Sequence, residues 1–313
     1  MDWLPSWCRE HLGAAPAHVL FERRSLSAVV GVRLNDGREV VVKARQDEGR
    51  AAACVAAQAR LAQRGFPCAR PRTPVAGVGA LAVHAEESRP GGGVLRGDTP
   101  EIAVRYAAVF ARLMTELTGV SVPPPLPNPR WARWDHAGPG LRPSIRFLDE
   151  QDQSAVPAHV VETATRVRKR LLAANLPCVL GHADFEAQNL RWHDGGIQAV
   201  HDWDSLAWQP EAALVGAASG AFANASPPTL APIGSSAAFL AAYQQFRGRR
   251  FTEEEREVAW AAGLWPALHN ARWEALHGDR PVCGAAVRAQ AAERLRRAGA
   301  RPADLYGSCT SPG

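Results

Sequence analysis

Two carboxylates and an amide stand at a telling spacing in the middle of this chain. Gly181-His182-Ala183-Asp184-Phe185-Glu186-Ala187-Gln188-Asn189-Leu190 is followed by Ala199-Val200-His201-Asp202-Trp203-Asp204. Asn189 comes five positions after Asp184, and Asp202 thirteen positions after Asn189. Phosphoryl transfer needs such a set: one group to accept a hydroxyl proton, and two oxygen ligands to hold Mg2+ on a nucleotide. Asp and Asn are also ordinary turn formers. That would account for any one of the three, and much less well for all of them at this spacing.

A β-hairpin is expected to position them. Cys178-Val179-Leu180 is apolar and strand-like. Asn189–Trp192 and Ile197–Val200 flank the turn His193-Asp194-Gly195-Gly196, where glycine supplies positive φ. Asn189 then opens one strand, Asp202 follows the other, and Asp184 lies on the loop before both. A further signal is lysine scarcity. Of 36 basic residues only Lys43 and Lys169 are lysines. Lys43 ends the β-branched run Glu39-Val40-Val41-Val42-Lys43, a place for a compact ammonium gripping phosphates, which an arginine fork does not replace. Lys169 lies in a solvated basic helix face.

These residues carry a resemblance. A strand lysine (Lys43), a His-x-Asp-x-x-x-x-Asn loop (His182, Asp184, Asn189) and an Asp-Trp after the next strand (Asp202, Trp203) resemble the aminoglycoside phosphotransferase and choline kinase family, small-molecule relatives of the protein kinases. The likeness extends roughly from Pro5 to Arg297 and is sharp only in the loop and hairpin. It implies an α+β, protein-kinase-like bilobal fold: a small antiparallel-sheet N-lobe (1–85) and a larger, mostly helical C-lobe (86–313). It implies ATP between the lobes, with GTP left open, and Mg2+ on Asn189 and Asp202. Asp184 would be the catalytic base and Lys43 the ligand of the α- and β-phosphates. His182 is read as a structural member of the loop.

The remaining nucleotide contacts are expected from four places. Ser25 and Ser27 lie in Arg24-Ser25-Leu26-Ser27-Ala28, where relatives cover the phosphates; here that turn has no glycine. The family also implies a helix glutamate paired with the lysine. Gln46–Arg64 reads as a helix, and Glu48 at its start is the candidate, although an acid there also suits the helix dipole. Backbone groups of Ala85 and Glu86, at the start of the polar, Gly-rich connector Ala85–Gly93, are expected to meet the adenine.

Downstream, helices are expected over Thr99–Leu117, Val156–Ala174, Glu211–Phe222, Ser236–Phe246, Thr252–His277 (kinked or split by Pro266) and Val287–Ala298. Val122–Pro129 reads as a stiff extended crossover. The acceptor is a small-molecule hydroxyl, with Glu186, Asp204, Glu211 and Trp203 as candidate contacts. An aminoglycoside or other antibiotic would use the carboxylates; choline, a sugar or an amino alcohol is the alternative. From Glu211 onward, acids number 9 against 11 arginines, which is no acidic bowl. A nucleotide-binding protein without turnover would leave the complete Asp184, Asn189, Asp202 and Lys43 set unexplained. A two-metal hydrolase built on His182, Asp184, His201, Asp202 and Asp204 would leave Asn189 and Lys43 without a role.

Composition sets the frame. At 313 residues and 46% hydrophobic content, two lobes can each bury a core. Net charge is +5, but the arginines are scattered without a recognition motif, so no nucleic-acid partner is expected. No apolar run has membrane-spanning length. The N-terminus lacks a basic-then-apolar leader, and the six cysteines form no C-x-x-C pair. A cytoplasmic location with reduced thiols is expected. The oligomeric state is left open.

Overall fold

The computed structural model describes residues 1–24, 27–122, 126 and 128–300. An antiparallel sheet forms the N-terminal part. Strands β1 (Pro16–Arg24), β2 (Ser27–Leu34), β3 (Glu39–Gln46), β4 (Ala76–Val78) and β5 (Leu81–Glu87) stand in the order β1-β2-β3-β5-β4. Side chains alternate across a strand. Val40, Val42 and Ala44 of β3, with Val83 and Ala85 of β5, therefore share one face. Helix α1 (Leu4–Leu12), not foreseen in the sequence, joins the same core through Leu4, Trp7 and Leu12. Lys43, His84 and Glu86 fall on the opposite face, with Lys43 directly across from His84.

Two boundaries depart from expectation. β3 runs on to Gln46, because Arg45 and Gln46 pair with Ala82 and Leu81 of β5. Asp47-Glu48-Gly49 is then a turn, closed by the Gly49 amide donating to Asp47 Oδ1 at 2.8 Å, with Gly49 at φ 76°. Helix α2 spans only Ala51–Gln63. β5 in turn continues to Glu87, paired with Val40, so the sheet ends beyond residue 85 and the connector begins at Ser88.

The rest is mostly helical. Helix α3 (Pro100–Leu117) is capped by Thr99, whose hydroxyl accepts from the Ile102 amide. Its stripe of Tyr106, Phe110, Leu113 and Leu117 is buried in the larger core. The short helix α4 (Arg146–Asp149) and helix α5 (Ala158–Leu172) precede β6 (Cys178–His182). Strands β7 (Leu190–His193) and β8 (Gly196–Val200) form the expected hairpin. Its turn is Asp194-Gly195, both at positive φ (46° and 78°), the geometry two-residue hairpin turns favour. An additional strand, β9 (Leu206–Pro210), returns beside β6. Helices α6 (Glu211–Ala221), α7 (Ile233–Arg247), α8 (Glu253–Ala262), α9 (Trp265–His277) and α10 (Val282–Arg297) complete the chain. Pro266 does split the long helical stretch: it sits in the first turn of α9, where its missing N–H costs nothing.

Helices α6 and α8 meet backbone to backbone. A Cβ at Gly216 would stand 2.1 Å from the Ala259 carbonyl oxygen, and one at Gly220 would stand 2.1 Å from that of Gly263. The two parts of the chain are stitched together near the hairpin. The Val200 amide donates to Pro67 O at 2.8 Å, and Gly93 and Trp192 exchange two backbone bonds, each 2.8 Å. Pro123–Pro125 and Pro127 of the expected crossover lie outside the described residues.

Candidate active site

The loop between β6 and β7 is held from beneath by His182, which is fully buried. Its Nε2 lies 3.1 Å from the His201 carbonyl, which can only accept, so Nε2 carries the proton. Nδ1 is then free to accept from the Asp184 amide at 3.2 Å. Burial depresses the ring's basicity and keeps it neutral, which this pair of bonds requires. Phe185 packs edge-on against Phe110 and Tyr106 of α3. One side chain of the loop is thus anchored in the core while Asp184 is turned to the site.

Asp184, Asn189 and Asp202 converge. Asn189 closes the 3-10 turn Ala187–Asn189, immediately before β7 rather than inside it. Its amide nitrogen donates to both Asp184 O and Asp184 Oδ2, each at 2.9 Å. Asp202 follows β8 in the left-handed conformation (φ 60°, ψ 47°), unusual for a residue with a Cβ and typical of positions where function fixes the backbone. The Ser205 hydroxyl donates to Asp202 Oδ2 at 2.9 Å. Burial, the charges of Glu186 and Asp202, and a hydrogen bond with Asp202 hold the Asp184 carboxyl well above its usual range, against the opposing Asn189 bond. Burial also acts on Asp202, but the charges of Lys43 and Arg45 and the Ser205 bond outweigh it and keep that carboxyl low.

This donor set suits a hard divalent cation. Two half-buried carboxylates in contact, each repelling the other's charge, are relieved by a cation between or beside them, and Asn189 keeps a carbonyl oxygen as acceptor. Among the described residues no three His, Cys, Asp or Glu side chains converge on a metal position. Mg2+ usually keeps phosphate oxygens and water in its shell, so a partial set of protein oxygens would suffice to hold it.

Lys43 faces this cluster from β3. It is buried, and its Nζ lies 2.9 Å from Glu86 Oε1 of β5. Glu86 is fixed in turn by Gln58 of α2, whose Nε2 donates to Glu86 Oε2 and to Ala69 O, both at 2.8 Å. Burial of Glu86 favours its neutral form, but Lys43 and Gln58 outweigh it and keep the group ionised. The helix does reach the lysine, through an amide and a strand glutamate. Cys54, Val55 and Gln58 of α2, with Lys43, His84 and Trp203, line a narrow cleft.

Several expected contacts stand elsewhere. Glu48 does not pair with Lys43; the turn before α2 carries it outward to Arg130, Oε1 to Nε 2.9 Å. Ala85 has no free backbone for an adenine, because its amide donates to the Thr73 hydroxyl (2.9 Å) and its carbonyl accepts from Arg72 (2.7 Å). Glu86 likewise lies within the paired strand, and it is its side chain that enters the site. Ser27 is the first residue of β2, paired with Arg45; Ser25 lies outside the described residues.

Of the acceptor contacts, only Glu186 remains beside Asp184. It is buried, accepting from Gln188 Nε2 at 2.7 Å and from Asn224 Nδ2 at 2.8 Å. Burial raises its carboxyl to about 7. Asp204 is ion-paired to Arg45 across the two parts of the chain. Glu211 is bound by the Tyr243 hydroxyl, Arg247 and Arg249. Trp203 is buried, donating to Val200 O at 2.9 Å and standing edge-on to His182 and Phe66. Glu211, already matched by two arginines, and an indole already in the core are not available to a ligand, whereas Asp204 lines the cleft and its Oδ1 has no partner among the described residues. The sequence reading missed Gln58, Arg45 and Asn224; each is far in sequence from the residue it holds, and no local pattern marks it.

With this geometry in place, comparison with known proteins gives a consistent picture. A family model described as "Phosphotransferase enzyme family" matches residues 21–231. No curated protein matches the chain by sequence. Among solved structures, an amicoumacin kinase in complex with AMP-PNP, Ca2+ and Ami is similar at TM-score 0.64 and 14% identity, covering 90% of this chain and 89% of that one. A microcompartment-associated aminopropanol kinase is similar at TM-score 0.62 and 17% identity, covering 91% and 94%. A thermostable mutant of an aminoglycoside phosphotransferase, with ADP and hygromycin B, is similar at TM-score 0.60 and 13% identity, covering 96% and 100%. At these identities the likeness is one of fold: a kinase-like arrangement of an antiparallel sheet and a helical part.

Proposed function

The chain belongs to the phosphotransferase enzyme family, and on that footing we propose that it transfers the γ-phosphoryl group of ATP to a hydroxyl of a small molecule. One observation carries the reading. Asp184, Asn189 and Asp202 meet in one half-buried cluster, and Lys43 faces it from the sheet with its charge matched by Glu86.

Each group has a part. Lys43 binds the α- and β-phosphates as a point charge. Asn189 and Asp202 hold Mg2+, which when bound neutralises charge on the phosphates. Asp184 accepts the acceptor's hydroxyl proton as the new O–P bond forms and the bond from the γ-phosphorus to the β–γ bridging oxygen breaks, leaving ADP. A carboxylate whose basicity is raised by burial and like charge is a better proton acceptor than an ordinary one. Once ionised it is oriented by Asn189. His182 sets the loop and takes no part in proton transfer, since both its nitrogens are engaged.

The test is Asp184→Asn, assayed by nucleotide titration beside single-turnover phosphoryl transfer over a panel of hydroxyl acceptors. Transfer should fall by about 10²–10⁴-fold, while ATP binding survives on Lys43, Asn189 and Asp202. Near-normal transfer would remove the role from Asp184. ATP binding with no transfer by the unaltered chain, over the whole panel, would favour a nucleotide-binding protein. With Glu211 committed to two arginines and Asp204 held by Arg45 through Oδ2, few carboxylates are left for a polycationic antibiotic, which favours an amino alcohol, a sugar or another hydroxyl compound as acceptor.

A further inference from the structure

Two cations of β3 face the narrow cleft. Side chains two residues apart on a strand share a face, so Arg45 stands on the same side of the sheet as Lys43, and both line the cleft together with Asp204. Their charges are matched differently. Lys43 is matched inside the sheet, by Glu86. Arg45 is matched across the two parts of the chain, by an ion pair with Asp204 in which both side chains are largely buried.

The partner of Arg45 belongs to the metal segment. Asp204 lies in the 3-10 turn Trp203–Ser205 that follows Asp202. Ser205 closes this turn twice on Asp202: its amide donates to the Asp202 carbonyl at 3.0 Å and its hydroxyl to Asp202 Oδ2 at 2.9 Å. Asp204 is thereby fixed relative to Asp202, and a cation paired with the one is carried close to the other. The backbone of the segment is gripped from the same side. Arg50, just before α2, donates through its two terminal nitrogens to the carbonyls of Asp204 and Leu206. The electrostatics agree with the geometry. Burial works against the Arg45 charge, and Asp202 is the foremost charge that supports it. Against burial, Lys43 and also Arg45 hold the Asp202 carboxyl in its ionised form.

A clamp between the two parts of the chain is one use of such a pair. It does not account for where the charge is placed, because a cation near Asp202 competes with a metal for that carboxylate. The guanidinium neutralises part of the aspartate's charge and repels a divalent ion directly. Nucleotide phosphates reverse the balance, since their negative oxygens favour an ammonium, a guanidinium and Mg2+ at once. We propose that Arg45 is a positioning residue of the metal site: aimed by Asp204, it serves Asp202 as a resident counter-charge and keeps the nucleotide-free site from taking Mg2+ until phosphates supply further negative charge. Asp204 acts through Arg45. The role rests on the assignment of Mg2+ to Asp202 in the phosphotransfer reading.

The experiment titrates Mn2+, standing in for Mg2+, into the full chain without nucleotide and counts free Mn2+ by electron paramagnetic resonance. The two members of the pair carry opposite charges, so their losses should have opposite signs. Arg45→Met should bind Mn2+ about tenfold or more tightly than the unaltered protein, the worth of one unit charge near a divalent ion in half-buried surroundings. Asp204→Asn should bind it more weakly or not at all. The double variant Arg45→Met/Asp204→Asn should return towards the unaltered protein, and Arg45→Lys, which keeps the charge, should give back most of the difference. A clamp alone would make both single variants act alike, as they should in Tm, where each leaves a charge without its partner. The gain in Arg45→Met should vanish when Asp202→Asn is added. Equal or weaker Mn2+ binding in Arg45→Met, tighter binding in Asp204→Asn, or a gain that survives Asp202→Asn would each overturn the role of Arg45. The metal reading has its own control: AMP-PNP should bind the unaltered protein more tightly with Mg2+ than without, and Asp202→Asn should remove that difference. Persistence of the difference in Asp202→Asn would sink the assignment of Mg2+ to Asp202, and the role of Arg45 with it.

Discussion

Glu186 is the acid whose ionisation is most readily measured. Replacing it by Gln keeps the shape and one of its bonds: a Gln oxygen still accepts from Asn224, and the Gln188 amide has only to turn over. The group is buried, and its carboxyl sits at about 7 against an ordinary 4.5. In the linkage relation, a folded-state pKa raised above the unfolded one gives stability that is full below the unfolded value and is lost as pH rises through the folded one. The window is therefore pH 4.5 to 7. The whole shift corresponds to about 3 kcal/mol, most of which falls between pH 5 and 8. Urea unfolding of the nucleotide-free protein at those two pH values, for both forms, reads it. Histidines contribute with the opposite sign, since burial holds His84 and His201 near 4, but they are common to both proteins and cancel in the difference. The unaltered protein should lose about 2 kcal/mol more than Glu186→Gln on going to pH 8. An identical pH slope in the two, or a variant less stable than the parent at pH 8, would refute the reasoning. It would mean that Glu186 is ionised at neutral pH and stabilised as a charge.

Other outcomes follow from the same geometry. Lys43→Arg should not restore ATP affinity or transfer lost in Lys43→Ala, because the fork does not fit a buried pocket built for one Nζ on Glu86; equal kcat/KM for ATP in Lys43→Arg would contradict this. Gln58→Leu should cost about 1–3 kcal/mol by leaving Glu86 Oε2 and the Ala69 carbonyl without their donor, seen as a lower urea midpoint, and should raise KM for ATP as Lys43 loses its fixed position. Glu48→Ala should leave KM for ATP unchanged within about twofold, since its partner is the exposed Arg130 and such pairs are worth little.

What the sequence disclosed was local. The hairpin, its Asp-Gly turn and the spacing of Asp184, Asn189 and Asp202 are written within about twenty residues, where turn chemistry and period-two alternation act directly. Helix α3 was legible for the same reason, from Thr99 and a repeating apolar stripe. Glu48 misled because Asp47-Glu48-Gly49 has the composition of a helix start, while cross-strand pairing of Arg45 and Gln46 with β5 extends the sheet and pushes the helix on. Helix propensity lost to a tertiary constraint there. Strand β9 was invisible because Leu206–Pro210 is short and finds its partner only when β6 is in place. The same holds for Glu86, Asp204, Glu211 and Trp203. Whether an acid or an indole is free for a ligand depends on arginines, amides and aromatics distant in the chain, and no spacing rule records them.

The backbone contact between α6 and α8 bears on how the enzyme could open and close. Helices that slide over each other do so on layers of interdigitated side chains, each tolerating small shifts. At Gly216 and Gly220 that layer is missing: main chain lies on main chain, so close that a Cβ at either position would meet a carbonyl. Shear is thus denied to this part of the molecule. Helix α6 issues directly from β9, which is bonded to β6, the strand that ends in the catalytic loop. The loop therefore rests on an immovable backstop. A change in the width of the cleft is then easier to place in the Ser88–Gly93 connector than in the packing of α6 on α8.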